Sequence, residues 1–133
     1  MIMLDSSFLI AYHNTKDKNH KQASELMPRI ASGEYGKVNI TDYIFDETAT
    51  YLAAKQGLGK AITIGTYLLG ASELIGITKN DFEEAWSLFK SQRNTHLSFT
   101  DCTIIIAMRA NSITKLATFD GDFGKFSDLS TVS

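Results

Sequence analysis

Ile2-Met3-Leu4-Asp5-Ser6-Ser7-Phe8-Leu9-Ile10 opens the chain. Three apolar residues followed at once by an acid predict a short buried strand that ends at Asp5, and the apolar run resumes at 8–11. Working outward, residues 15–32 predict a helix. Thr15 is its candidate N-cap, and Ala23, Leu26, Met27 and Ile30 have helical spacing. Pro28 is expected to kink or split it. Gly33 and Gly36 bracket a turn before a strand at Val38-Asn39-Ile40-Thr41. Asp42 is then read as the cap of a helix over 43–55, closed by Gly57. A second helical stretch covers 60–69, and 74–78 is strand-like. Asn80 or Asp81 starts a helix with Phe82, Ala85, Trp86 and Phe89 on one side. Ser98 or Thr100 caps another over 101–110, with Ile104, Ile105 and Met108 apolar. Strands are expected at 116–119 and, on an edge, at 129–132. Short apolar strands alternating with amphipathic helices predict an α/β layer fold with a largely parallel sheet.

The 133 residues are 44% hydrophobic and 21% charged, the composition of one globular domain, 1–133, rather than of a disordered chain. A net charge of −2 excludes a generic basic nucleic-acid coat, so any phosphate partner must be held locally or through a bound cation. Cys102 is the lone cysteine, so no disulfide can form within the chain, as fits a reducing compartment. The N-terminus lacks the basic lead of a signal peptide. No apolar run approaches the roughly 20 residues of a membrane span. A soluble, cytoplasmic protein is expected.

The informative feature is where the acids stand. Asp5 follows the first strand, Asp120 follows Leu116–Phe119, with Asp122 two residues on, and Asp101 opens a helix. Asp46 and Glu47 lie early in the helix after the second strand. Ligands of open parallel sheets collect at the carboxyl ends of the strands. If those ends share an edge, distant carboxylates converge. Two ionised carboxylates ~5 Å apart repel by about 3 kcal/mol at an effective dielectric near 20, so such a cluster needs protons or a cation. Carboxylate oxygens favour hard ions, chiefly Mg²⁺ or Mn²⁺. Each acid also has a plain structural reading. Asp5 and Asp101 suit helix starts, Asp120-Gly121-Asp122 suits a turn, and helical periodicity does not choose between Asp46 and Glu47.

Four segments carry a resemblance. They are Leu4-Asp5-Ser6-Ser7-Phe8-Leu9-Ile10, Thr41-Asp42-Tyr43-Ile44-Phe45-Asp46-Glu47-Thr48, Leu97-Ser98-Phe99-Thr100-Asp101-Cys102 and Ala117-Thr118-Phe119-Asp120-Gly121-Asp122-Phe123. In order and spacing the sequence resembles a PIN domain, close to the VapC-type toxin ribonucleases. The resemblance implies a three-layer α/β/α sandwich. It implies a ribonuclease dependent on Mg²⁺ or Mn²⁺ that leaves 5′-phosphate and 3′-hydroxyl ends, as the toxin of a toxin–antitoxin pair. It assigns Asp5, Glu47, Asp101 and Asp120 as catalytic, metal-holding acids and so favours Glu47 over Asp46. Asp122 would assist or replace Asp120, and Ser6 and Thr118 would support the pocket. A homodimer and a groove for a cognate antitoxin are further implications. A housekeeping nuclease of the same family and a non-catalytic module that binds RNA or protein are the alternatives within it. A phosphatase with an aspartyl nucleophile is the alternative outside it, although Phe123-Gly124 lacks the expected threonine.

The remaining features are weaker. His13, His20 and His96 have no zinc spacing. Gly57-Leu58-Gly59-Lys60 lacks the spacing of a phosphate loop. Lys16, Lys18 and Lys21 lie in a locally basic run that reads as a solvated helix start, or as RNA-backbone contacts if it borders the acids. Arg93, Lys55, Lys60 and Lys125 are further candidates for such contacts. Tyr43, Phe45, Tyr51, Tyr67 and Leu68 form apolar stripes expected to be mostly core.

Overall fold

The computed structural model describes residues 1–133. Its first strand, β1 (Ile2–Leu4), is wholly buried, which is why it consists of three consecutive apolar residues with no alternation. The chain continues through α1 (Ser6–His13), α2 (His20–Ala31), β2 (Val38–Thr41), α3 (Asp42–Gln56), α4 (Leu58–Ala71), β3 (Glu73–Ile75), α5 (Lys79–Lys90), α6 (Phe99–Ala110), β4 (Lys115–Ala117), a 3-10 turn (Gly121–Lys125) and β5 (Ser130–Val132). The five strands form one sheet in the order β3-β2-β1-β4-β5, and every pairing is parallel. Ile2, Met3 and Leu4 face Lys115, Leu116 and Ala117, and Ile2 faces Val38 on the other side.

This order fixes where a site can form. The crossovers β1→β2→β3 step outward in one direction, and β3→β4 returns past both. Right-handed crossovers running in opposite directions place their helices on opposite faces, which gives the three layers. The strand order reverses between β1 and β4, so the crevice of the fold opens at their carboxyl ends. A cluster of 26 buried hydrophobic residues fills the interior, including Phe8, Leu9, Ile44, Leu52, Ile104, Ile105 and Phe123.

Several element boundaries differ from expectation, each for a local reason. The apolar run 8–11 is helical and belongs to α1, which buries Phe8, Leu9 and Ala11. The helix expected over 15–32 begins only at His20. Residues before it are held in side-chain turns, with Asn14 accepting the Lys16 N–H at 3.0 Å and Asp17 accepting the Asn19 N–H at 2.8 Å. Pro28 does not split α2, because it stands in the last turn and the helix ends at Ala31. Thr41, not Asp42, caps α3, its hydroxyl accepting the Ile44 N–H at 3.1 Å. Asp42 instead ties down the segment after β3 by accepting the Ile77 N–H at 3.2 Å. Thr78 caps α5, with Asp81 as the reciprocal partner in a capping box. Of the two candidates before α6, Ser98 is the cap. The stripes expected to be core are only partly so. Leu68 is buried, Tyr43, Phe45 and Tyr51 are half-buried, and Tyr67 is 67% exposed.

Phe123 links fold to site. It is fully buried within the 3-10 turn that follows Asp120, so its ring anchors that turn to the core. Phe123→Ala is expected to cost about 3–5 kcal/mol of stability. Chemical denaturation of the variant against the parent protein measures it.

Candidate active site

The site begins at the end of β1. The Asp5 N–H donates to the Ala117 carbonyl at 3.0 Å, extending the β1–β4 ladder by one residue. That register sets Asp5 beside Thr118. Asp5 is the N-cap residue of α1, yet its side chain makes no capping bond. Its Oδ2 instead accepts the Thr118 hydroxyl at 2.7 Å and the Ser7 hydroxyl at 2.8 Å. Each hydroxyl has one proton, so its oxygen remains free to accept. Ser7 Oγ accepts the Phe119 N–H at 3.1 Å and Thr118 Oγ1 accepts the Asp120 N–H at 3.0 Å. Ser7 therefore joins the two strand ends as firmly as Thr118 does. The sequence alone points to Ser6 and Thr118 but not to Ser7, whose only signal is its place two residues after a strand-end acid.

The other carboxylates approach from separate elements. Glu47, on the second turn of α3, takes a hydrogen bond from the Ser6 hydroxyl. Ser6 Oγ lies 3.5 Å from Asp5 Oδ1 and its proton serves the nearer Glu47. Asp46 points elsewhere and accepts a long 3.4 Å bond from Thr50. Of the two, Glu47 is the one that shares Ser6 with Asp5. Asp101 is the third residue of α6, and its Oδ2 accepts the Ser98 N–H at 2.9 Å as the return half of a capping box. Its plain structural reading, a favourable acid in the first turn of a helix, therefore holds. Asp120 caps the 3-10 turn, its Oδ1 accepting the Asp122 N–H at 2.9 Å. Asp122 is committed to other partners, accepting the His96 N–H at 2.8 Å and pairing with Lys125 at 3.2 Å. Those contacts hold its carboxyl below the usual range.

One pattern runs through the set. Asp5, Glu47, Asp101 and Asp120 each have one oxygen fixed by a protein donor. The other oxygen takes no hydrogen bond from the protein, apart from the 3.5 Å contact to Asp5 Oδ1. Their charges also meet. Asp5 is 2% exposed, and burial raises its pKa against the lowering by Thr118, Ser7 and Ser6, with the Glu47 charge adding to the rise. Asp101 is pushed up to about 6, first by burial and further by the charges of Asp5 and Asp120.

Acids whose charges bear on the buried Asp5 and Asp101, each with an oxygen to offer, fit a hard divalent cation in donor chemistry. No group of three or more His, Cys, Asp or Glu side chains is closed around a common point as the side chains stand.

Of the predicted basic contacts, Lys16 lines a polar cavity beside α1 and α3. Lys18 and Lys21 are exposed on the turn before α2 and on its first turn. Arg93 borders a different cavity with Lys125. His13, His20 and His96 do not join the acids. His20 bonds the Ala11 carbonyl, and Cys102 is fully buried.

The Asp101 shift gives a signed prediction. A carboxyl whose folded pKa lies above its unfolded value stabilises the fold fully at pH below the unfolded value. It loses that contribution as pH rises through the folded value. With a chelator present, Asp101→Asn should match the parent in Tm near pH 4, exceed it increasingly between about pH 4 and 6, and keep a constant excess above that. A Tm difference that stays flat across this range would contradict the crowding of charge at Asp101.

The sequence matches the PIN domain profile over residues 2–129. No protein of curated function matches the chain in sequence. Among solved structures, it is similar to VapC20 of Mycobacterium tuberculosis, described as a toxin that cleaves the sarcin–ricin loop. The TM-score is 0.83 and the identity 26%, over 94% of each chain. It also resembles VapBC2 of Rickettsia felis bound to promoter DNA, with a TM-score of 0.72 and 15% identity over 99% of this chain and 98% of the other. A toxin–antitoxin complex of Klebsiella pneumoniae gives 0.69 and 17% over 100% and 97%. With the profile covering nearly its whole length, the chain belongs to the PIN domain family.

Proposed function

We propose that the protein is a divalent-metal-dependent ribonuclease and the toxin of a toxin–antitoxin pair. The carrying observation is the set of four carboxylates from separate elements, each with one oxygen fixed and one to offer. Asp5, Asp101 and Asp120 would hold Mg²⁺ or Mn²⁺, and Glu47 would hold it or orient the attacking water. When bound, such an ion offsets phosphate charge and lowers the pKa of water. Asp120 is preferred to Asp122 as the fourth acid, because Asp122 is engaged by His96 and Lys125. Ser7 and Thr118 position Asp5, by fixing its Oδ2 so that Oδ1 faces the site. Ser6 does the same for Glu47.

The likeness to VapC20 at 26% identity supports the toxin reading and makes ribosomal RNA the first substrate to try. The toxin–antitoxin complexes among the similar structures support an antitoxin partner. The exposed side chains Leu58, Ile62 and Leu69, along a groove between α3 and α4, and Phe82 and Trp86 on α5 are the apolar surface that an antitoxin or a second copy in a homodimer would cover.

The test is cleavage of ribosomal and transfer RNA by the purified protein with Mg²⁺ or Mn²⁺. Asp5→Asn and Glu47→Gln should each reduce cleavage to background while circular dichroism stays unchanged. Ser7→Ala should lower activity roughly 10- to 100-fold, the usual effect of losing a group that orients a metal ligand. Cleavage that survives both a chelator and Asp5→Asn would sink the proposal.

A further inference from the structure

α1 and α3 lie side by side and run the same way. At their N-terminal ends the Ser6 hydroxyl meets Glu47, and at their C-terminal ends Gln56 Nε2 donates to the His13 carbonyl at 2.9 Å. The carboxylates stand at the first end. At the other end is a polar cavity of about 440 Å³. Lys16, Lys55 and Lys60 line it together with His13 and Tyr51, and no acid does. None of the three lysines pairs with a carboxylate, whereas Lys37, Lys125, Arg29 and Arg109 all do. The Lys60 charge also reaches His13, whose pKa is lowered first by burial and then by that charge. An Asn14 side-chain turn fixes the backbone of Lys16 at the rim.

Three cations gathered from three elements without a counter-charge are mutually repulsive in the free protein and favour an anion between them. At 1.5 Å per helical residue, the path from Ser6 to His13 is about 11 Å and that from Glu47 to Gln56 about 14 Å. A nucleic-acid strand carries a charge every ~3.4 Å of axis in a duplex, so that gap spans roughly three or four nucleotides, fewer when the strand is extended. Glu47, Tyr51 and Lys55 are spaced i, i+4, i+8 along one face of α3, so an aromatic ring stands between the acids and the lysines. Aromatic rings of this kind stack single-stranded bases.

We propose that the cavity lined by Lys16, Lys55 and Lys60 binds a backbone phosphate of the RNA strand whose scissile bond lies at the carboxylates, with Tyr51 stacking an intervening base. This rests on the nuclease reading for the direction of the strand, and it adds the track that the strand follows.

The experiment uses the full chain and a fluorescein-labelled 12-residue oligouridylate. Binding is read by anisotropy between 50 and 200 mM NaCl with a chelator present, and steady-state cleavage is measured separately. The combined Lys16→Ala, Lys55→Ala and Lys60→Ala variant should bind at least about tenfold more weakly. Its slope of log affinity against log salt should shrink by about 0.7, the change for one phosphate charge left unneutralised on a single strand. KM should rise with kcat held within roughly twofold, and Lys37→Ala should change nothing. Single Lys55→Ala and Lys60→Ala variants, each at an exposed position, should each raise KM and lower the slope by part of that ~0.7, and they keep the test open if the triple variant does not fold. An unchanged slope and KM in these variants would overturn the site and leave the lysines to an acidic protein segment. A normal lysine-dependent slope in a protein that cleaves no RNA with either metal would instead overturn the nuclease reading and leave the phosphate site standing.

Discussion

The arrangement depends on one buried carboxylate. Asp5 is 2% exposed at the point where strand order reverses, and it stays there because two hydroxyls, from Ser7 and Thr118, donate to the same oxygen. Hydrogen bonds to a charged group contribute about 1.5–3 kcal/mol each, and an unpaired buried carboxylate costs more than that. The hydroxyls in turn accept the N–H groups of Phe119 and Asp120. A single small network thereby joins the end of β1 to the end of β4 and sets the direction of the segment that carries Asp120. Burial, and to a lesser extent the Glu47 charge, still drive the Asp5 pKa upward, so the network positions the charge without fully relieving it. That residual cost is what a bound cation would remove.

The remaining acids illustrate how one residue serves fold and site together. Asp101 closes a capping box with Ser98 and feels the charges of Asp5 and Asp120. Asp120 caps the 3-10 turn through one oxygen, and Phe123 within that turn reaches the core. A carboxylate has two oxygens, so capping with one leaves the other for a ligand. The contrast with Asp81 is instructive. It forms the same capping box, but at the start of α5, after the edge strand β3 rather than at the crevice between β1 and β4. Capping geometry alone therefore does not mark a site. Convergence with other acids does.

Much of this was legible in the sequence because the strands are short and buried on both faces. Ile2-Met3-Leu4 and Leu116-Ala117 read as apolar runs ending at polar residues, and those ends are where the sheet places its crevice. The helix starts were less legible, because capping depends on which hydroxyl or carboxylate meets the backbone. Thr41 displaced Asp42 as cap, and α5 starts at Lys79, capped by Thr78, rather than at Asn80 or Asp81. The delayed start of α2 depends on side-chain turns at Asn14 and Asp17, which no apolar periodicity reports. Glu47 was indistinguishable from Asp46 on a helical wheel, because both flank the apolar side. The contact with Ser6 that separates them spans 41 residues. Ser7 was missed for a similar reason, since its partners lie at 118 and 119.

Charge balance gives the site its larger logic. The chain carries 15 acids against 13 Lys and Arg, and several of those acids crowd one crevice. Unaided, such a surface repels a phosphodiester over a Debye length of about 8–10 Å. A cation at the carboxylates reverses the sign only locally, so the rest of a strand needs positive charge beyond that range. The parallel pairing of α1 with α3 supplies a place for it, because two helices fixed at both ends, by Ser6 with Glu47 and His13 with Gln56, hold their far termini about 11–14 Å away. Lys16, Lys55 and Lys60 stand at that far end, outside the screening length of the acids and free of carboxylate partners. On that proposal, an acidic protein would engage a polyanion without a basic overall composition, because the helices that carry its opposite charges are locked in register.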